Sequence, residues 1–431
     1  MLRNLALTLL ATINLADFAS SAFLGSSFSD SLQDCVSFMH MFDYTFSNSQ
    51  GGSADRPYGL TSNQDYEMVK CSIPGICPDD ISRTTCQWMR ILTVVCQAVQ
   101  TGTGYDIQVL TNSLPNHCYY SQISAPVGSF AKYNTYGIRT HWNLATRSMD
   151  KATGLLRNQV FYNTNLATQT DVNNQLCDGK WAKGATLDNN IYYREAMDDG
   201  TYNTYANNKW ASDWNLNTVT TPLLRMPDSD AIVGIALNGV FIFAGNQENG
   251  LDAFFPKNFQ HDKQYELNRI DIDLCLGSFH TFSTYRYHMF SPCIYDIKLR
   301  DQVGLCRRND TCDQNLTQYA VDMVPSVMKT QAPIGIAKDG RVIYGPYKIT
   351  GELWQPCEVD ICNGVNFGSF YGYVATVFHP YVVGCWGPGN KPSYHAQCSS
   401  NPRLCSNANY LSSMFTVIGG AIMFFLYAII L

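Results

Sequence analysis

Gly234-Ile235-Ala236-Leu237-Asn238-Gly239-Val240-Phe241-Ile242-Phe243-Ala244-Gly245 decides the fold of this chain, because the chain writes it twice. The second version reads Gly335-Ile336-Ala337-Lys338-Asp339-Gly340-Arg341-Val342-Ile343-Tyr344-Gly345-Pro346. Asn-Gly and Asp-Gly between β-branched and aromatic residues are the strongest local signal for a two-residue type I′ turn. That turn needs positive φ at both central positions, which Gly adopts freely and Asn or Asp tolerates. Hairpins are therefore expected over 231–245 and 333–347. Working outward, each is followed by an Asp-x-Cys-x-Gly string, Asp273 to Gly277 and then Asp360 to Gly364. Each string leads to a Tyr-x-Tyr, Tyr285-Arg286-Tyr287 and Tyr371-Gly372-Tyr373. A fixed order of elements, repeated once, predicts two equivalent units. The expected class is mainly β: duplicated hairpin units forming a β-sandwich or barrel-like domain, disulfide-rich, with few helices.

The composition agrees with strands and ordered loops. The 431 residues include 26 Tyr, only 15% are charged, and the formal net charge is −6. Aromatic and β-branched residues fit a pleated, half-buried surface. No basic block is present, so no nucleic-acid partner is expected. The chain is long enough to bury a real apolar core.

Both ends read as targeting signals. Residues 1–22 combine Arg3, an apolar run from Leu5 and small residues up to Ala22, the pattern of a secretory signal peptide. Residues 414–431 are uncharged and mostly apolar, after a polar stalk over 399–413. That arrangement resembles a lipid-anchor (GPI) attachment signal, with a single transmembrane helix as the alternative. Either places the protein on the extracellular cell surface, anchored to the membrane at its C-terminus. The sixteen Cys fit that compartment as disulfides. None has the Cys-x-x-Cys spacing of a zinc or thioredoxin-type site, and their connectivity is left open by spacing alone. Asn309-Asp310-Thr311 and Asn315-Leu316-Thr317 are glycosylation sequons, expected in an exposed loop between the repeats.

Between the ends, 23–98 reads as a Cys-rich N-terminal segment. Within it Asp79 to Val99 is the best helix candidate, on the apolar pattern Trp88, Ile91, Leu92 and Val95. The main domain is expected over 99–398, with a polar, Asn-, Tyr- and Thr-rich insertion at about 132–222.

The motifs together resemble the YHYH domain family. The residues that carry the resemblance are Leu114-Pro115-Asn116-His117, the two Gly-Ile-Ala hairpins, Ile343-Tyr344-Gly345-Pro346-Tyr347, Cys362-Asn363-Gly364, and Phe378-His379-Pro380-Tyr381 running on to Cys385. It covers roughly 104 to 390 and implies a secreted or cell-surface β-rich domain. The name-giving motif is incomplete, as Tyr285-Arg286-Tyr287-His288 and Tyr371-Gly372-Tyr373-Val374 keep one of four histidines.

Four of the eight histidines, His117, His280, His288 and His379, fall in or beside these motifs. Imidazoles from separate strands suit a divalent metal such as Zn or Cu. Asp273, Asp360, Tyr285 and Tyr287 are the candidates to orient such ligands. The competing expectation is that these histidines bond loop backbone and the tyrosines pack in the core. No Gly-x-Ser-x-Gly elbow, zincin motif or phosphate-binding loop is present. Two functions follow as expectations: an extracellular recognition or structural protein with a protein or glycan ligand, or a metal-dependent extracellular enzyme using the histidine cluster.

Overall fold

The computed structural model describes residues 28–43, 66–71, 75–76, 82–83, 86–99, 103–119, 135–144, 166–177, 223–225, 232–247, 250–259, 269–280, 284–295, 304–391 and 393–405. Residues 1–22 and 414–431, read as targeting signals, and most of 132–222 lie outside them. The described chain is mainly β. Its two large sheets are both open, and neither closes into a barrel.

The larger sheet is built from the repeat. Its strands are β8 (Ile232–Ala236), β9 (Phe241–Phe243), β10 (Gly277–His280), β11 (Thr284–Tyr287), β12 (Pro333–Ala337), β13 (Val342–Tyr344), β14 (Gly364–Asn366) and β15 (Tyr371–Val374). Their order, β10-β11-β9-β8-β12-β13-β15-β14, is the same four-strand unit written outward in both directions. Each unit pairs its hairpin antiparallel and then adds the Tyr-x-Tyr strand parallel to the second hairpin strand. The units meet where β8 pairs antiparallel with β12, and there Ile235 faces Ile336, its own counterpart. A local two-fold axis therefore passes between these two isoleucines. Gly234 and Gly335 flank it for a steric reason. A Cβ on Gly234 would lie 2.4 Å from the Ile336 carbonyl oxygen, and one on Gly335 would lie 2.4 Å from that of Ile235.

The duplication extends past the motifs quoted above. After each hairpin the chain makes a second tight turn, with bridges Asn246 to Asp252 and Tyr347 to Leu353. Gly250 and Gly351 take matching φ values of 83° and 82° in these turns.

The second sheet has the order β1-β4-β5-β6-β7, from β1 (Tyr66–Cys71), β4 (Cys86–Ala98), β5 (Tyr105–Thr111), β6 (Thr135–His141) and β7 (Leu223–Arg225). A two-stranded piece pairs β2 (Gly75–Ile76) with β3 (Ser82–Arg83). The helix expected over 79–99 is thus a hairpin strand followed by a long strand. Trp88, Arg90, Leu92 and Val94 are buried on one face with period 2, while the opposite face buries Ile91 but exposes Val95. Arg90 disguised that alternation as a helical stripe, because a charged residue reads as solvent-facing. β4 pairs with β5 from Leu92 to Ala98, so the Cys-rich segment and the following region share one sheet. β6 lies within the stretch read as an insertion, yet it pairs along its length with β5.

Four α-helices are described: α1 (Leu32–Met39), α2 (Gln169–Leu176), α3 (Asp310–Gln314) and α4 (Leu316–Asp322). The last two replace the loop expected around the sequons. Asn309 and Asn315 are their N-caps, accepting from the Cys312 and Gln318 backbone N–H groups. Asn is favoured at that position because its short side chain satisfies a donor the helix leaves unpaired. Residues 399–405, read as the start of a polar stalk, are held to the domain. Ser399 and Arg403 are buried, and Cys405 is disulfide-bonded to Cys357.

Among the described residues seven disulfides join Cys35 to Cys96, Cys71 to Cys118, Cys177 to Cys398, Cys275 to Cys293, Cys306 to Cys312, Cys357 to Cys405 and Cys362 to Cys385. The side chains of Cys77 and Cys86 lie outside the described residues. One continuous apolar core links the sheets.

Candidate functional site

The Asp-x-Cys-x-Gly and Tyr-x-Tyr motifs form one interlocked device, built once in each unit. In the second unit Asp360 accepts from the Cys362 and Gly364 N–H groups at 2.9 and 2.8 Å, which folds the string into a tight loop. Its other carboxylate oxygen accepts the Tyr371 hydroxyl at 2.7 Å and the Gly389 N–H at 2.8 Å. In the first unit Asp273 accepts from Cys275, Gly277 and the Tyr285 hydroxyl in the same way. The residue between Cys and Gly has positive φ in both, Leu276 at 62° and Asn363 at 61°. The closing glycine has to be glycine, because the tyrosine hydroxyl occupies the space of its missing side chain. A Cβ would lie 2.1 Å from that oxygen at Gly277 and 1.7 Å at Gly364. The cysteine of each string then bonds one beyond the tyrosines, Cys293 or Cys385.

Burial first, and the adjacent carboxylate second, push the Tyr285 and Tyr371 hydroxyls far above their usual range. Both remain protonated and act as donors. Burial also raises the Asp360 carboxyl, against the pull of its hydrogen bonds.

The second tyrosine of each pair reaches the hairpin turn, and here the units differ. Tyr373 donates to Asp339 at 2.5 Å, and Asp339 also holds Arg341 at 2.6 Å. In the first unit the turn residue is Asn238, which donates to the Tyr287 oxygen at 3.0 Å and to Asn116 at 3.1 Å. Tyr287 in turn lies 2.6 Å from His117 Nε2. His117 Nδ1 is 2.8 Å from the Cys118 carbonyl oxygen, and since a carbonyl only accepts, Nδ1 carries the proton. Nε2 of the neutral ring is then the acceptor for the Tyr287 hydroxyl. Every member of this chain is buried.

Two further candidate histidines sit elsewhere. His288 donates from Nδ1 to the Ala244 carbonyl at 2.7 Å and packs against Phe243 and Phe254. His379 bonds Asn246 through Nε2 and stands edge-on to Tyr381. The side chain of His280 lies outside the described residues. Among those residues the groups that approach as metal ligands are not several histidines but His117 with Cys275 and Cys293. Those two sulfurs are already joined as a disulfide, so they offer no thiolate. The donor set present therefore does not fit the Zn or Cu centre expected from the histidine motifs.

Three residues outside the motif reading hold this region together. Ser113, at φ 54°, donates to the Tyr285 carbonyl and accepts from Phe241, so it stitches β9 to β11. Arg90, fully buried, donates to the Asn238 carbonyl at 3.1 Å and to Glu67 at 2.7 Å. Asp252 accepts from Tyr381 at 2.8 Å, from Ser399, and from the Phe254 and Phe255 N–H groups. A charged residue inside a β-branched run was the available signal for Arg90. Asp252 carried none beyond its place after Asn249-Gly250.

His379 makes the fold sensitive to acid. Burial holds its ring below the usual histidine range, against the weaker pull of Asp252. The unfolded chain therefore binds a proton first, and stability is full above the unfolded value of about 6.5 and falls as pH drops through it. His379→Asn is expected to flatten the acid limb of a denaturation-midpoint profile relative to the unaltered chain. The single-residue contribution is at most about 1.4 kcal/mol per pH unit. Identical limbs in the two proteins would exclude His379 as the titrating group.

No family model, no curated protein and no solved structure matches the chain.

Proposed function

We propose that this chain is an extracellular surface protein in a recognition or structural role, with the duplicated unit as its scaffold. One observation carries the reading: the motif side chains turn inward and bond one another. Asp273 and Asp360 organise loops, the tyrosines clamp them, and His117 completes a buried chain. In this reading the YHYH-like residues are the means by which a small β unit closes its polar groups, and ligand contact belongs to the outer surface. Seven disulfides, the two sequons and the terminal apolar runs support a secreted, glycosylated and membrane-anchored protein.

Expression of the full chain in a secretory cell line tests this. Peptide N-glycosidase treatment is expected to increase its mobility, and Asn309→Gln with Asn315→Gln is expected to remove that increase. Phosphatidylinositol-specific phospholipase C is expected to release the protein from intact cells. Unglycosylated, cytosolic protein would overturn the reading, and resistance to the phospholipase with retention at the surface would assign a transmembrane helix instead.

A further inference from the structure

The most exposed large apolar side chains among the described residues are Val327 (75%), Ile349 (65%) and Leu404 (59%). They come from separate segments that hydrogen bonds join edge to edge. Thr330, just past the short helix that carries Val327, donates to the Ile349 carbonyl. Lys348, next to Ile349, bonds Glu358 at 2.8 Å. Arg403, next to Leu404, donates to the Pro356 carbonyl at 2.7 Å, one residue from Cys357. Cys357 is bonded to Cys405, which pins the end of the described chain to this same surface.

Residues 406–413 then separate Cys405 from the apolar run that begins at Met414. Eight residues span at most about 29 Å when fully extended, and an average flexible chain of that length spans about 16 Å. A lipid anchor attached within 406–413, or the apolar run itself inserted in a bilayer, would hold this surface close to the membrane. We propose that the face formed by 326–330, 348–352 and 403–405 rests on the lipid surface, with Val327, Ile349 and Leu404 entering the headgroup boundary. This rests on the membrane-anchored reading above.

The chemistry favours lipid over a protein partner. The three apolar side chains come from separate segments, and beside Ile349 the Lys348 ammonium pairs with Glu352 and Glu358, so apolar and charged groups alternate on these segments, which suits shallow insertion into a fluid boundary. Lys329, over the Tyr347 ring, and Lys391, bonded to the Cys357 and Glu358 carbonyls, place two cations beside the face.

Hydrogen exchange of the full chain reconstituted in phosphatidylcholine vesicles tests the proposal. The comparison is with the triple variant Val327→Asp, Ile349→Asp, Leu404→Asp, whose exposed substitutions leave the core intact. Both proteins are expected to float with the vesicles. In the unaltered chain the three segments are expected to show protection about tenfold higher than in the variant. Equal protection in two floating proteins overturns the lipid-facing surface and leaves the anchor reading standing. Failure of the unaltered chain to float overturns both. Protection that rises with protein density at constant lipid assigns the face to a second copy and likewise overturns the proposal.

Discussion

Gly340→Ala is expected to destabilise the protein by about 4 kcal/mol or more, while Gly239→Ala, at the equivalent position of the other hairpin, costs about 1–2 kcal/mol. The two glycines have nearly the same backbone, with φ 84° and 85°, so both alanines meet the same left-handed penalty. Their surroundings differ. A Cβ on Gly340 would lie 1.6 Å from the His141 carbonyl oxygen and 2.8 Å from its carbon, and neither backbone atom can move without shifting β6. A Cβ on Gly239 would meet Leu92 and Thr111 side-chain atoms at 3.1 Å, which a small rotamer adjustment relieves. Denaturant midpoints of the two variants, measured with the disulfides intact, check the asymmetry. Equal losses would mean that the second turn does not dock against the end of β6.

The second large effect is expected at Asp360. Asp360→Ala removes the acceptor for three backbone N–H groups, those of Cys362, Gly364 and Gly389, and for the Tyr371 hydroxyl. Each buried donor left without a partner costs about 1–3 kcal/mol, and partial relaxation brings the expected total to about 4 kcal/mol. Asp360→Asn keeps one carbonyl oxygen but turns an amide N–H toward another donor, the Gly389 N–H, so a loss of about 2 kcal/mol is expected. Asp273→Ala is expected to fall near Asp360→Ala, because its loop uses the counterparts of three of those four bonds. The order of denaturation midpoints, unaltered chain above Asp360→Asn above Asp360→Ala, is the check. Near-neutral behaviour of Asp360→Ala would remove the argument that these motifs are scaffold.

Much of the architecture was legible in short strings. Asn238-Gly239 and Asp339-Gly340 announced two hairpins, and their repetition announced two units. The expected type I′ turn does not form: only the glycines take positive φ, and the Gly239 and Gly340 N–H groups donate to the Ala236 and Ala337 carbonyls, so each hairpin turns through a type I turn closed by a left-handed glycine. The candidate site was legible only as a set of residue types. Asp273, Asp360, Tyr285 and Tyr287 were grouped as residues that orient metal-binding histidines, and the spacing could not say that each carboxylate folds its own loop. His117 and His379 looked alike as imidazoles in motifs, yet one accepts from Tyr287 and the other bonds Asn246.

By itself, then, the sequence determined where the hairpins turn, the duplication and the mainly β class, all of which depend on conformational preferences a few residues long. Only the tertiary structure decided that the units meet at Ile235 and Ile336 and that β4 is a strand around a buried Arg90. It also decided that the Asp and Tyr motifs close on one another and that Cys275 and Cys293 are joined beside His117. These outcomes rest on contacts between residues far apart in the chain, where burial and the need to pair every polar group outweigh local preference.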